Sequence, residues 1–189
     1  LKVFADLVNS LKFDKVTVVD AHSDAVCAAV NNCENIPQYF HAQRALRKYL
    51  DDERVLFCAP DAGAYKKLTQ LMPDDSRILI GCKQRDTLTG KITGTRIMHD
   101  LLPSVLVDST VVIVDDICDG GRTFIELAKA LRTDHVVKDI VLYVTHGIFS
   151  QGLPPILEHI DCIKTTDSFP YPATNEFEGK IFFTTLKLL

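Results

Sequence analysis

Short runs of apolar, mostly β-branched residues recur along the chain, separated by longer stretches with helical spacing. The runs are residues 16–19 (VTVV), 55–59 (VLFCA), 78–80 (ILI), 111–114 (VVIV) and 140–144 (IVLYV). Each is nearly free of polar interruption, the pattern of strands buried on both faces in a parallel sheet. Between them, residues 41–50 (HAQRALRKYL) place Ala45, Leu46, Tyr49 and Leu50 on one stripe, and residues 62–71, 123–131 and 153–159 also have helical spacing. Residues 1–11 put Val3, Leu7, Val8 and Leu11 on one face, which predicts a helix at the start. Residues 180–185 (KIFFTT) predict one further strand, and the polar stretch 85–95 (RDTLTGKITGT), with two glycines, reads as a loop or a solvated hairpin. Strands alternating with helices predict an α/β fold, a mostly parallel sheet flanked by helices.

The length of 189 residues predicts one domain spanning residues 1–189. A composition of 47% hydrophobic and 24% charged residues argues against disorder, collagen-like repeats and coiled coil. The net charge of −4 argues against a general nucleic-acid binder. No apolar run approaches the roughly 18 residues of a membrane span, so no membrane partner is expected. Six cysteines (Cys27, Cys33, Cys58, Cys82, Cys118 and Cys162) are scattered without a C-x-x-C pair. That spacing predicts no structural zinc, reduced thiols and a cytoplasmic compartment. Residue 1 is Leu, so the expectation is a mature product, an excised segment or the ordered part of something longer, and nothing at the start reads as a signal peptide.

Chemistry concentrates in the thirteen residues VVIVDDICDGGRT, 111–123. A buried strand runs into two acids, then a tight turn with a third acid and two glycines, then Thr123 and a helix. Successive N–H groups in such a turn form a concave anion site, and the helix N-terminus adds free donors and a favourable dipole. Gly120 and Gly121 let the backbone approach a phosphate closely. Asp115 and Asp116 can accept from ribose hydroxyls or hold Mg²⁺ through water. The run is neither a Walker A loop nor a dinucleotide fingerprint. The plain alternative is an acidic strand–turn–helix corner with Asp119 or Thr123 as N-cap.

VVIVDDICDGGRT resembles the 5-phosphoribosyl-1-diphosphate (PRPP) motif shared by type I phosphoribosyltransferases and the ribose-phosphate diphosphokinases, or PRPP synthetases. Five further segments are similar to the synthetase family in the same order: VTVVDAHSD (16–24) to its D-x-H segment, APDAGA (59–64) to its P-D-x-G-G turn, KQRD (83–86) to its K-x-R loop, VTHGIFSQGL (144–153) to T-H-G-x-F-S, and KTTDSF (164–169) to T-x-T/S. The resemblance covers the carboxy-terminal half of a family chain. It implies a type I phosphoribosyltransferase-like fold and transfer of diphosphate from ATP to ribose 5-phosphate, giving PRPP and AMP, with Mg²⁺ as cofactor. By the same resemblance His22 and Asp61 hold the metal of Mg-ATP, and Lys83 and Arg85 are the catalytic pair. Asp115 and Asp116 take the ribose hydroxyls, while Asp119, Gly120, Gly121, Arg122 and Thr123 cradle the 5-phosphate. A homo-oligomer built from dimers, up to hexamers, is implied as well, with activity dependent on the preceding half of the chain.

Three residues depart from or complicate that pattern. Arg122 stands where a small residue is usual, Ala64 replaces the second Gly of the P-D-x-G-G turn, and Cys118 offers a thiol inside the loop. Two other readings stay open at this stage: a phosphoribosyltransferase that consumes PRPP, and a non-catalytic regulatory homologue. The polar residues Asp20, His22, Asp61, Asp115, Asp116 and His146 all follow apolar runs. In an open α/β sheet ligands sit beyond the carboxyl ends of the strands, so these residues are expected on one rim.

Overall fold

The computed structural model describes residues 1–85, 92–170 and 177–186, with residues 83–85, 92, 93 and 103 described as backbone only. The 55–59 run forms β3 (Val55–Ala59), in which every residue is buried. The other apolar runs are the cores of longer strands: β4 (Ile78–Arg85), β6 (Thr110–Cys118) and β7 (Asp139–Gly147). With β5 (Ile92–Met98), β8 (Cys162–Thr166) and β9 (Ile181–Thr184) they make a seven-stranded sheet in the order β5-β4-β3-β6-β7-β8-β9. Every pairing is parallel except β4 with β5. Within the stretch 85–95, Arg85 pairs with Ile92, and Gly94 and Thr95 pair with Gln84 and Lys83, all antiparallel; residues 86–91 lie outside the described ones.

The strand over Val16–Val19, β1, does not join this sheet. It pairs in parallel with β2 (Cys33–Ile36) in a separate two-stranded sheet. The polar sequence CENI hides β2 from a search for apolar runs. The short helices α2 (Ala25–Ala29) and α5 (Pro103–Leu106) escape because they have too few turns to show a period.

Successive side chains on the central strands alternate between two cores, as the pleat requires. One face gives Leu56, Cys58, Ile113 and Leu142 to a core closed by Phe124, Leu127 and Leu131 of α6 (Arg122–His135) and Ile156 of α7 (Pro154–Leu157). The other gives Phe57, Val112, Val114 and Tyr143 to Ala42 and Leu46 of α3 (Gln38–Leu50) and Leu68 of α4 (Ala62–Leu71). Burying each large side chain contributes roughly 1.5–3 kcal/mol, so the two layers hold the strand ends in fixed relation. The first helix, α1 (Lys2–Ser10), buries only Ala5, and Leu1, Val3, Phe4, Leu7 and Leu11 are exposed. No helix among the described residues is long and apolar enough to cross a membrane.

Candidate functional site

The 111–114 run predicts a strand that stops before the acids, but β6 continues through Cys118, so Asp115 and Asp116 are strand residues. Their side chains alternate out of the pleat, which separates their environments. Cys118 then turns the chain, and Gly121 sits as N-cap of α6 with φ 76°. A side chain there is excluded twice. Left-handed φ strains an L-residue, and a Cβ would fall 2.6 Å from Ile156 Cγ1. The corner reading is thus corrected in its detail, because no side chain caps α6 and a bare glycine opens it.

Asp116 is buried and anchored. Its Oδ2 accepts from Lys67 Nζ at 2.8 Å and from His22 Nδ1 at 2.9 Å. Lys67 also donates to Oδ1 of Asp20 at 2.8 Å. Asp20 Oδ2 accepts from Gln38 Nε2 at 3.0 Å and from Thr145 Oγ1 at 2.6 Å. Asp20 itself holds a left-handed backbone, φ 47°. His146 Nε2 donates to the carbonyl of Val19 at 2.9 Å, and its Nδ1 meets Ser168 Oγ at the same distance. These contacts tie the small sheet to the ends of β6 and β7. They place Asp20, His22, Asp116 and His146 on one rim.

The two neighbouring acids are driven apart electrostatically. Burial pushes the Asp115 carboxyl up, the Asp116 and Asp61 charges push further, and it reaches about 7. Burial also opposes ionisation of Asp116, but Lys67 and then His22 outweigh it and hold this carboxyl below its ordinary value. Lys67 is desolvated too, yet its hydrogen bonds to Asp116 and Asp20 raise it and keep it charged. Asp61, the N-cap of α4, accepts from the Ala64 N–H at 3.0 Å through one carboxylate oxygen.

A cavity of about 670 Å³ opens over this rim. His22, Asp61, Asp115, Asp116, Asp119, Gly120, Gly121, Arg122 and Thr123 all line it, as does Lys67. A smaller cavity of about 240 Å³, lined by Asp20, Asn35, Gln38 and Gln70, shares His22, Gly63 and Lys67 with the first. Another cavity, about 770 Å³ against β4 and β5, is lined by none of the expected site residues. Lys83 and Arg85 lie on β4 by backbone, and their side chains fall outside the described ones. Among the described residues, no three His, Cys, Asp or Glu side chains are grouped as a metal cage. His22 and Asp61 both line the cavity, and such donors would suit Mg²⁺ where substrate phosphates and waters complete its shell.

The departures resolve locally. Arg122 is the exposed first residue of α6. Ala64 is buried among Leu68 and Leu71 and its N–H serves the Asp61 cap, so the extra methyl is accommodated in the core. Cys118 is fully buried, and burial followed by the charges of Asp115 and Asp119 pushes its thiol to about 12, which makes it inert rather than oxidation-sensitive. Lys67 and Gln38 are the site residues that pattern reading misses. The available signal for Lys67 is its place beside Leu68 on the stripe running from Ala64 to Leu71, where a cation is out of keeping.

No protein-family model matches the chain. Similar curated proteins include the ribose-phosphate pyrophosphokinase of Mycoplasmopsis pulmonis, 30% identical over 168 residues, 86% of this chain and 49% of that protein. That of Haemophilus influenzae is 26% identical over 194 residues, covering 98% of this chain and 58% of its own length. The chain spans about half the length of the curated relatives it matches. Among solved structures, phosphoribosylpyrophosphate synthetase from Mycobacterium smegmatis superposes with a TM-score of 0.80 at 18% identity, over 97% of this chain and 58% of that one, and shares the fold. With its mostly parallel sheet, the chain is similar over most of its length to about half the length of the ribose-phosphate pyrophosphokinases, and it shares the fold of a phosphoribosylpyrophosphate synthetase.

Proposed function

We propose that this chain binds ribose 5-phosphate and serves as the carboxy-terminal half of a PRPP synthetase. The reaction transfers diphosphate from ATP to the sugar, giving PRPP and AMP. The observation that carries this reading is the loop from Asp119 to Thr123, opened by a side-chain-free Gly121 at the start of α6 and facing the cavity that Asp115 and Asp116 also line.

In this reading the 5-phosphate lies in the glycine turn, where backbone N–H groups and the helix N-terminus offer donors without reorganisation. Arg122 and Thr123 flank it. Asp115 and Asp116 accept from the ribose hydroxyls and orient the 1-hydroxyl toward the β-phosphorus of ATP. Lys67 fixes Asp116 in place, so its carboxylate geometry is set before substrate arrives. His22 and Asp61 hold Mg²⁺, which neutralises triphosphate charge when bound. Lys83 and Arg85 supply cations to the phosphate in flight. Catalysis of this kind is mostly positioning and electrostatics. The nucleotide site is completed by the half of the family chain not represented in this sequence, and assembly is by dimers.

Calorimetric titration of ribose 5-phosphate into the chain tests the sugar site. Binding that Asp115→Ala weakens at least tenfold is expected, and equal binding by both proteins removes Asp115 from the site. Release of AMP from ATP, dependent on ribose 5-phosphate, is expected once the chain is joined to the amino-terminal half of a relative. Release of pyrophosphate from PRPP and a base, without AMP production, favours the phosphoribosyltransferase reading instead.

A further inference from the structure

Two of the six cysteines, far apart in function from the sugar site, come together in the small sheet. Cys27 lies in α2 and Cys33 is the first residue of β2, paired with Val16 on β1. Their Sγ atoms are 2.9 Å apart, both are free thiols, and both are partly accessible. The intervening turn is held from outside. Asn9 of α1 donates to the Ala29 carbonyl at 3.0 Å and accepts from the Asn31 N–H at 2.7 Å. Asn32, at φ 55°, donates to the Phe13 carbonyl at 3.0 Å, and its own carbonyl accepts from the Val16 N–H at 3.0 Å. The turn that presents the thiols to each other is therefore tied by hydrogen bonds to α1, to the Phe13 backbone and to β1.

We propose that Cys27 and Cys33 form a dithiol that low-molecular-weight disulfides oxidise to an intramolecular disulfide, a modification site independent of the ribose-phosphate reading. Closing the sulfurs to a bond of about 2.05 Å takes a shift of less than about 1 Å. The chemistry is thiol–disulfide exchange. One thiol loses its proton, and the thiolate attacks a sulfur of oxidised glutathione, giving a mixed disulfide and one glutathione thiolate. The second thiol, deprotonated in turn, displaces the other glutathione and forms the Cys27–Cys33 bond. The pair loses two electrons and two protons, and one oxidised glutathione becomes two reduced molecules. Burial, then the hydrogen bond and charge of Cys27, push the Cys33 thiol up to about 11, as expected when ionising one sulfur opposes ionising its neighbour. Cys58 and Cys118, fully buried, lack this access.

The test incubates the reduced chain with oxidised glutathione and maps the products by mass spectrometry without reduction. A loss of about 2 Da confined to the peptides holding residues 27 and 33 is expected, with two of the six thiols becoming unreactive to a thiol reagent. Cys27→Ser is expected to abolish the 2 Da loss and leave Cys33 reduced or carrying one glutathione, while Cys162→Ser leaves the loss intact. Cys27 and Cys33 both remaining free, each accumulating its own glutathione, or pairing with other cysteines overturns the proposal.

Discussion

Asp115→Asn is expected to stabilise the protein while weakening its proposed sugar site. The wild-type carboxyl sits at about 7 against an ordinary 3.8, because β6 buries it beside Asp116 and Asp61. At about 1.36 kcal/mol per tenfold change, that displacement corresponds to roughly 4 kcal/mol of opposed ionisation at pH 8. Asp115 retains some solvent contact, which reduces the expected gain to roughly 2 kcal/mol. Asparagine keeps Oδ1 as acceptor for the Asp116 N–H, a bond of 2.9 Å in the wild type, so little else changes. The folded value lies above the unfolded one, so the wild type's stability from Asp115 is fully present below about 3.8 and is lost as pH rises through about 7. The variant escapes that loss. Thermal unfolding at pH 8 is expected to show a Tm higher by about 4–8 °C, falling to about 1–2 °C at pH 4.5. A Tm that is unchanged or lower at pH 8, or a gain independent of pH, would refute the assignment of a burial-opposed charge.

Other substitutions probe the remaining supports. Lys67→Met removes the cation between two buried carboxylates and is expected to destabilise by roughly 3–5 kcal/mol, read by urea unfolding, with much of the loss recovered when Asp20→Asn is added. Gly121→Ala forces a side chain into left-handed φ and against Ile156, so a destabilisation of roughly 2–4 kcal/mol is expected in the same assay, together with weakened ribose 5-phosphate binding. His41 is buried, its Nε2 has no partner among the described residues, and burial holds it below its ordinary 6.5, so its contribution to stability is present above about 6.5 and is lost as pH falls through the lower folded value. His41→Leu is expected to flatten the stability profile between pH 7 and pH 5 in chemical unfolding. Phe57→Ala, at a fully buried strand position, is expected to lower stability by roughly 3–5 kcal/mol.

The central strands were legible because burial on both faces leaves an uninterrupted apolar run, as in Val55–Ala59. Strand ends were not, because a strand continues as long as its neighbour pairs with it. Asp115, Ile117 and Cys118 are held by β7 through Val144, His146 and Gly147, whatever their polarity. The predicted helix at 153–159 shrinks to the single turn Pro154–Leu157. β1 was found but misplaced, since nothing in VTVV says which partner it takes, and its partner CENI carries no apolar signature. The candidate site was legible where chemistry clusters locally, in the run from Asp115 to Thr123. It was illegible where the partner is distant, as in the meeting of Lys67 with Asp20 and Asp116, 47 and 49 positions away.

The contact between Gly121 and Ile156 gives the glycine turn a second address in the chain. The turn rests on a side chain some 35 positions later, in a one-turn helix begun by two prolines. A change at either position is therefore felt at the other, and the two cannot vary independently. Trimming Ile156 to Val or Ala frees the space that a methyl at residue 121 needs, though it leaves the left-handed strain untouched. Suppressors of damage in the turn are to be sought in α7, where sequence distance conceals the connection, and a redesign that transplants the turn without its distant support carries over only half of the device.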